Sequence, residues 1–416
     1  MLSHALKLIW NRRRANRLVV IEIAAAFVVT FVLAAISMNL WTNYRRPLGF
    51  EYENVWAVTV NNSTAGFGFG LGVQPSYSET QSQVLSALRA LPRTQAVEPL
   101  MVTPFISSSW QSDFTGNGDS DLVSLVSRST TEGLKAIGVK LVDGRWFGPE
   151  DEGQDYRAVL VNRTFVEQAF GPDEDPIGRR IDRPDPDFPL DQLPEAQRRE
   201  ALREIRIVGV IDDFRQWGEF ADEFAYVINR QEPRDEKGNQ FNLALKVAPG
   251  TDASFEERIS ATIESVAPGW AALVTPWEQL RATRHATTLL PLKVAATVSA
   301  FFLALVVMGL IGVLWQDVVR RTQEIGLRRA LGARASDVRR QIQVEIIVVG
   351  AFGILVGAGI AIQFPLLELV ARIDWASAIP GIALAAALIL LLIILGALYP
   401  SWLASRREPA DALRYE

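Results

Sequence analysis

The chain has 416 residues, a mean hydropathy of +0.13 and a formal net charge of −5. That hydropathy is high for a water-soluble protein and low for one lying wholly in a bilayer, so apolar spans and one soluble domain share the chain. The sequence holds no cysteine, which excludes a disulfide framework and a thiolate metal site, and His4 and His285 are too few and too far apart for a histidine-based centre.

Residues 1–17 carry Lys7, Arg12, Arg13, Arg14 and Arg17 and no acid. An apolar run over 18–40 follows, broken only by Glu22. It matches the roughly 20 residues a membrane-spanning helix needs and exceeds a signal-peptide core. Met38-Asn39-Leu40-Trp41 offers no small-residue cleavage site, so the run reads as a retained transmembrane helix, with Trp41 and Tyr44 as interfacial aromatics.

Residues 45–285 form a large acidic domain, with 25 Lys and Arg against 37 Asp and Glu. A strand is predicted over 55–60, a helix over 81–91 from the spacing of Val84, Leu85, Leu88 and Leu91, and an extended segment over 96–106 that Pro99 and Pro104 confine to an edge. Toward the other end, 241–247 alternates as a strand, 254–266 reads as a helix and 271–275 as a strand. The two β-α-β-like units bracket the domain and could pair into one split α+β layer. Between them, strands are expected at 122–126, 158–161 and 205–211, with a short helix at 163–170 stopped by Gly171-Pro172. The Pro-, Asp- and Arg-rich stretch 183–204 reads as a surface excursion, and the glycine-rich 66–72 does not fit a phosphate loop.

Three more apolar runs complete the chain: 287–315 with Lys293 near its start, 342–365 with Glu345 near its start, and 379–398 without a charge. The loop between the second and third spans carries Arg320, Arg321, Arg328, Arg329, Arg334, Arg339 and Arg340 against Asp317, Glu324 and Asp337. The positive-inside rule puts that loop and the N-terminus in the cytoplasm, and four spans return the tail 399–416 there as well. The fold class is therefore membrane α-helical, four transmembrane helices in a 1+3 arrangement, with a large α+β domain outside between the first and second. Gly350, Gly353, Gly357 and Gly359 suggest close helix packing in the third span. Glu22, Glu345 and Lys293 lie near span ends, where snorkelling or local ion pairing is expected. In the 316–341 loop, Asp317 to Leu331 can continue as helix, Gly332 is a candidate C-cap and Ser336 a candidate N-cap, which gives a stiff helix-turn-helix element.

The string QEIGLRRALGA over 323–333 resembles the signature of the MacB/FtsX family of ABC permeases. The same order of motifs runs through Gly144-Arg145-Trp146-Phe147 with Glu150-Asp151, Phe170-Gly171, Asp175-Pro176-Ile177-Gly178, Ile207-Val208-Gly209-Val210, and a tail from Tyr399-Pro400 to Tyr415-Glu416. The resemblance implies a periplasmic core with a porter-like lobe built from two halves, about 51–106 and 206–280, and an inserted lobe over about 107–205. It also implies a bacterial inner-membrane location and a dimer of permease chains, homo- or hetero-, carrying cytoplasmic ATPase subunits. Some family members carry their ATPase ahead of the first span. Here 17 residues precede it and no GxxxxGK[ST] or LSGGQ-like run occurs, which implies a separate ATPase and no ATP or other cofactor bound by this chain. The docking residues implied by the motif are Glu324, Ile325, Gly326, Leu327, Arg328, Arg329, Leu331 and Gly332.

The expected role is that of a permease subunit passing ATP-driven motion to the outer domain, for export or extraction of a drug, peptide or lipoprotein. A periplasmic adaptor or outer-membrane channel is a further possible partner beside membrane lipid. The alternative is an FtsX-like regulator that activates a hydrolase or signalling partner and transports nothing. No catalytic, metal or nucleic-acid site is expected: HExxH, GxSxG and cysteine are all absent, and the carboxylates are scattered.

Overall fold

The computed structural model describes residues 13–62, 76–100, 103–106, 109–115, 121–172, 174–182, 195, 198, 202–231, 240–320, 327 and 331–406. The glycine-rich 66–72 and most of 183–204 lie outside them. In chain order the elements are α1 (Arg13–Tyr44), β1 (Val55–Asn62), α2 (Ser76–Arg89), β2 (Thr94–Pro99), β3 (Trp110–Thr115), β4 (Asp121–Ser129), α3 (Thr131–Ala136), β5 (Leu141–Gly144), β6 (Tyr156–Asn162), α4 (Arg163–Ala169), β7 (Arg180–Ile181), β8 (Glu204–Ile211), β9 (Tyr226–Arg230), β10 (Gln240–Val247), α5 (Ser254–Val266), β11 (Trp270–Pro276), α6 (Trp277–Arg320), α7 (Ala335–Ala361), α8 (Gln363–Leu366) and α9 (Trp375–Arg406). The chain divides into two compact units, Asn43–Thr287 and the remainder.

In Asn43–Thr287, a four-stranded sheet has the order β11-β1-β10-β2 with every neighbour antiparallel. β1 and β2 are joined through α2 but have β10 between them, and β10 and β11 are joined through α5 but have β1 between them. Two split β-α-β units therefore interleave, as the strand and helix pattern suggested. β2 takes an edge, which suits Pro99, because proline cannot donate to a ladder. The apolar faces of α2 (Val84, Leu88) and α5 (Phe255, Ile259, Ile263) cover one face of the sheet, against Val58, Val60, Leu243 and Leu245.

The second sheet is mixed, in the order β3-β4-β9-β6-β8-β5 with β7 paired to β8. β4 runs parallel to β9 and β6 to β8. Here the sequence-based division needs correction. The half beginning at 206 does not belong wholly to the four-stranded lobe, since β8 and β9 lie in the mixed sheet and that lobe resumes only at β10. β8 is buried along almost its whole length, as a strand flanked on both sides inside a covered sheet must be. A shared core joins the two sheets: Val55, Ala57 and Ala244 from one and Leu125, Leu160, Val208, Tyr226 and Ile228 from the other, with Phe50, Phe105, Phe214 and Trp277.

In the other unit, four helices among the described residues are long and apolar enough to cross a membrane: α1, α6, α7 continued by α8, and α9. Each exceeds its apolar core, because helical hydrogen bonding continues into polar flanks such as Trp277-Glu278-Gln279. The third ends as a regular helix at Ala361 rather than 365. Its glycines pack within the chain: a Cβ on Gly350 would lie 2.6 Å from Ile393 Cδ1 of α9, on Gly353 2.8 Å from Ile23 Cγ2, and on Gly357 2.8 Å from Phe27 Cβ of α1. Gly359 has nothing within 4 Å. Glu22 makes no ion pair among the described residues; its Oε1 stands where a Cβ on Gly309 of α6 would come within 2.8 Å. Glu345 accepts from Gln341 Nε2 one turn earlier, at 3.1 Å.

Candidate functional site

Of the eight residues expected to dock a partner, Glu324, Ile325, Gly326, Arg328 and Arg329 lie outside the described residues. Leu327, Leu331 and Gly332 lie within them. Leu331 N donates to Leu327 O at 3.0 Å, one helical turn, and the two side chains are 54% and 80% exposed. Gly332 follows at φ +98°, the left-handed conformation that glycine adopts without strain and that ends helices. Helix α7 then starts at Ala335. Its N-cap is Arg334, in place of the expected Ser336, which already sits inside the first turn. Asp337 makes this possible: its Oδ2 accepts Arg334 N–H at 3.1 Å, and Arg334 O accepts Asp337 N–H at 3.0 Å. The result is a tight turn with an apolar pair at i and i+4 on its leading side.

A second polar constellation lies within Asn43–Thr287, on the loop between β8 and β9. Arg215 is 2% exposed, and among the described residues its guanidinium donates to carbonyl oxygens. Nη1 donates to Asn43 O at 2.7 Å and to Arg46 O at 3.3 Å, while Nη2 donates to Glu219 O at 2.6 Å and to Ala221 O. Arg215 N–H also reaches Leu48 O at 2.9 Å. Asn43 Nδ2 donates to Asp222 Oδ1 at 2.9 Å, and Arg46 pairs with Glu223 at 3.3 Å. The strand of chain leaving α1 is thus bound to the loop along its length. Gly49 (φ +79°) is required there, since a Cβ would fall 1.8 Å from Asp213 O.

The same loop holds the first turns of α6. The Glu219 carboxylate, 5% exposed, accepts from Arg281 Nε through one oxygen and meets His285 Nε2 at 2.8 Å through the other. Arg284 Nε donates to Trp217 O at 3.2 Å. Burial alone would raise the Glu219 carboxyl; the hydrogen bonds from His285 and Arg281 outweigh it and hold the group below the ordinary glutamate range. Phe220 sits between the two helix ends, stacked on Tyr44 at 5.7 Å and tilted on His285 at 4.9 Å. Burial pulls the Arg215 guanidinium down from its ordinary value, with Glu223 opposing.

Sequence reasoning missed this constellation. By sequence His285 stands alone, and the carboxylates of the outer domain read as scattered. The signal available was the interleaving of the charges of 212–223 with Phe214, Trp217, Phe220 and Phe224, which is unusual for a loop that faces only water. Among the described residues, no group of three or more His, Cys, Asp and Glu side chains could hold a metal ion.

Four apolar helices, with a two-sheet α/β domain inserted after the first, mark an integral membrane protein. The family model described as the MacB-like periplasmic core domain matches residues 20–262, and the one described as FtsX-like permease C-terminal matches 296–409. The chain belongs to the MacB/FtsX family of ABC-type permeases. The Macrolide export ATP-binding/permease protein MacB 2 of Aeromonas hydrophila is 25% identical over 294 residues, 68% of this chain and 42% of that protein. The uncharacterized ABC transporter permease YvrN of Bacillus subtilis is 35% identical over 112 residues, 26% of this chain and 27% of that one. The chain spans less than half the length of these relatives. The crystal structure of the periplasmic region of MacB from Actinobacillus actinomycetemcomitans aligns at 15% identity and a TM-score of 0.36, covering 56% of this chain and 94% of that one.

Proposed function

We propose that this chain is the motion-transmitting permease subunit of an ABC-type complex in a bacterial inner membrane. Both termini face the cytoplasm, a separate ABC ATPase docks on the 324–332 segment, and a second permease chain completes the assembly. The domain over 43–287 lies on the far side of the membrane and acts on a substrate there, a drug, peptide or lipoprotein being exported or extracted. The observation that carries the reading is the pair of family models, in chain order over 20–262 and 296–409. The described part of this segment supports the docking site, because the exposed Leu327 and Leu331, joined by a backbone hydrogen bond from Leu331 N to Leu327 O, offer a partner an apolar anchor.

The test is co-purification of an ABC ATPase from the native organism with the full-length chain. Fully burying a leucine contributes about 1.5–3 kcal/mol, so L327D/L331D is expected to weaken capture by more than about tenfold. Membrane insertion should be unchanged. Capture at the wild-type level by the double variant, and by E324K and R328E, would remove the docking assignment.

A further inference from the structure

We propose that the loop over 212–224 is a clasp, with Arg215 and Glu219 as its positioning residues, that makes the two chain ends of the Asn43–Thr287 unit move as one body. One end is the segment 43–48 leaving α1, and the other is the first turns of α6. The two are held by different chemistry on the same loop. Arg215 takes the first end through carbonyls of Asn43 and Arg46, and its own N–H reaches Leu48 O. Glu219 takes the second end through Arg281 and His285. The two clasp residues are themselves linked, since Arg215 Nη2 donates to Glu219 O at 2.6 Å.

The geometry favours a clasp over a passive loop for three reasons. Among the described residues, Arg215 reaches four carbonyl oxygens and no carboxylate directly, an arrangement that orders backbone rather than pairing charge. Both clasp side chains are almost fully buried, so water cannot replace their bonds without opening the whole contact. Finally, Phe220 stacks on Tyr44 and tilts against His285 while those two rings also meet edge-on, so a three-ring aromatic cluster joins the two ends. A displacement brought to either helix end is then delivered to both, and the loop's continuation into β8 and β9 carries it into the core of the mixed sheet. The clasp does not depend on which partner delivers the motion, so it stands or falls separately from the ATPase docking reading.

The experiment uses the full-length chain in nanodiscs, whose lack of cysteine permits clean labelling. Spin labels go on R45C and T283C, both exposed positions at the two ends, and their separation is read by double electron–electron resonance. The wild-type background is expected to give one narrow distance. E219Q, which keeps the size of the side chain and removes its charge, is expected to broaden or split that distribution. E257Q, an exposed charge change on α5 outside the clasp, should leave it narrow. A broad or two-population distribution in the wild-type background would overturn the proposal without recourse to any variant. So would a distribution in E219Q that superimposes on the wild type.

Discussion

Glycine 353 is the residue at which the packing of the helical unit is most sharply decided. A Cβ there meets Ile23 Cγ2 at 2.8 Å and Cβ at 2.9 Å, with the carbonyl oxygen of Val20 at 3.3 Å, so the obstacle includes backbone and the branch point of a β-branched side chain. Neither yields by rotating. Overpacking of this kind costs about 1–3 kcal/mol. G353A is therefore expected to lower the thermal unfolding midpoint of the purified full-length protein measurably, whereas G359A, with nothing within 4 Å, should leave it within error. That the glycine row implied close approach was legible in the sequence. Which of its members approach what was not, because spacing within one helix carries no information about the helix it meets. Glu22 illustrates the same limit: its place near a span end left snorkelling and local ion pairing both open, whereas the fold sets its carboxylate against Gly309.

Among elements, the junction where β6 becomes α4 is governed by one side chain. Asn162 is fully buried and uses its amide in four hydrogen bonds. Oδ1 accepts from Phe165 N at 3.1 Å, capping α4, and from Tyr226 N at 2.7 Å, where β9 begins. Nδ2 donates to Asp213 Oδ1 and to Phe224 O, both at 2.8 Å. Strand end, helix start, neighbouring strand and the clasp loop are thus tied at one point. N162A loses the helix cap and orphans buried partners at about 1–3 kcal/mol each, so a loss of more than about 3 kcal/mol is expected in denaturant unfolding. N162D should be no better, because a carboxylate cannot donate to Phe224 O and would face the Asp213 carboxylate. The helix expected at 163–170 could be read from sequence, though not its asparagine cap, as could β1, α5, β10 and β11, whose apolar periodicities are unambiguous. β3, β5 and β9 could not. Each is short, and β3 at the sheet edge carries exposed Trp110 and Gln111 beside buried Ser112, a pattern opposite to the one that marks a half-buried strand. The lobe boundary that the resemblance implies at 206 fails for a different reason, although in the strand pattern itself the β8 run over 205–211 lies between the two bracketing units. The continuous apolar run identifies a buried strand, but pairing partners fifty residues away decide the sheet.

For the molecule as a whole, the direction in which the chain threads the membrane is the property from which the proposed role follows. In a chain without cysteine, single substitutions report it directly. E257C, on the exposed face of α5, is expected to react with a membrane-impermeant maleimide in intact spheroplasts, and S336C only after permeabilisation. The reverse pattern would place the 43–287 unit in the cytoplasm and end the motion-transmission reading. The arginine bias of the loops is what predicts the first of these patterns. The clasp was not readable, because it is assembled from groups as far as 172 residues apart, as in the bond from the Arg215 guanidinium to the Asn43 carbonyl.

The interleaving of β1 between β10 and β11 also sets a timetable for biogenesis. Val58 pairs with Leu243 on one side and Val274 on the other, so the first strand of its sheet has no neighbour until nearly two hundred further residues have been synthesised. At ribosomal speeds of roughly 5–20 residues per second this is a wait of about ten seconds or more. Throughout it, a β-branched, aggregation-competent segment stands naked, while the intervening sheet can mature independently on its own shorter loops. Nascent copies arrested before residue 240 should therefore be prime clients for a holdase, and those arrested after 276 should not.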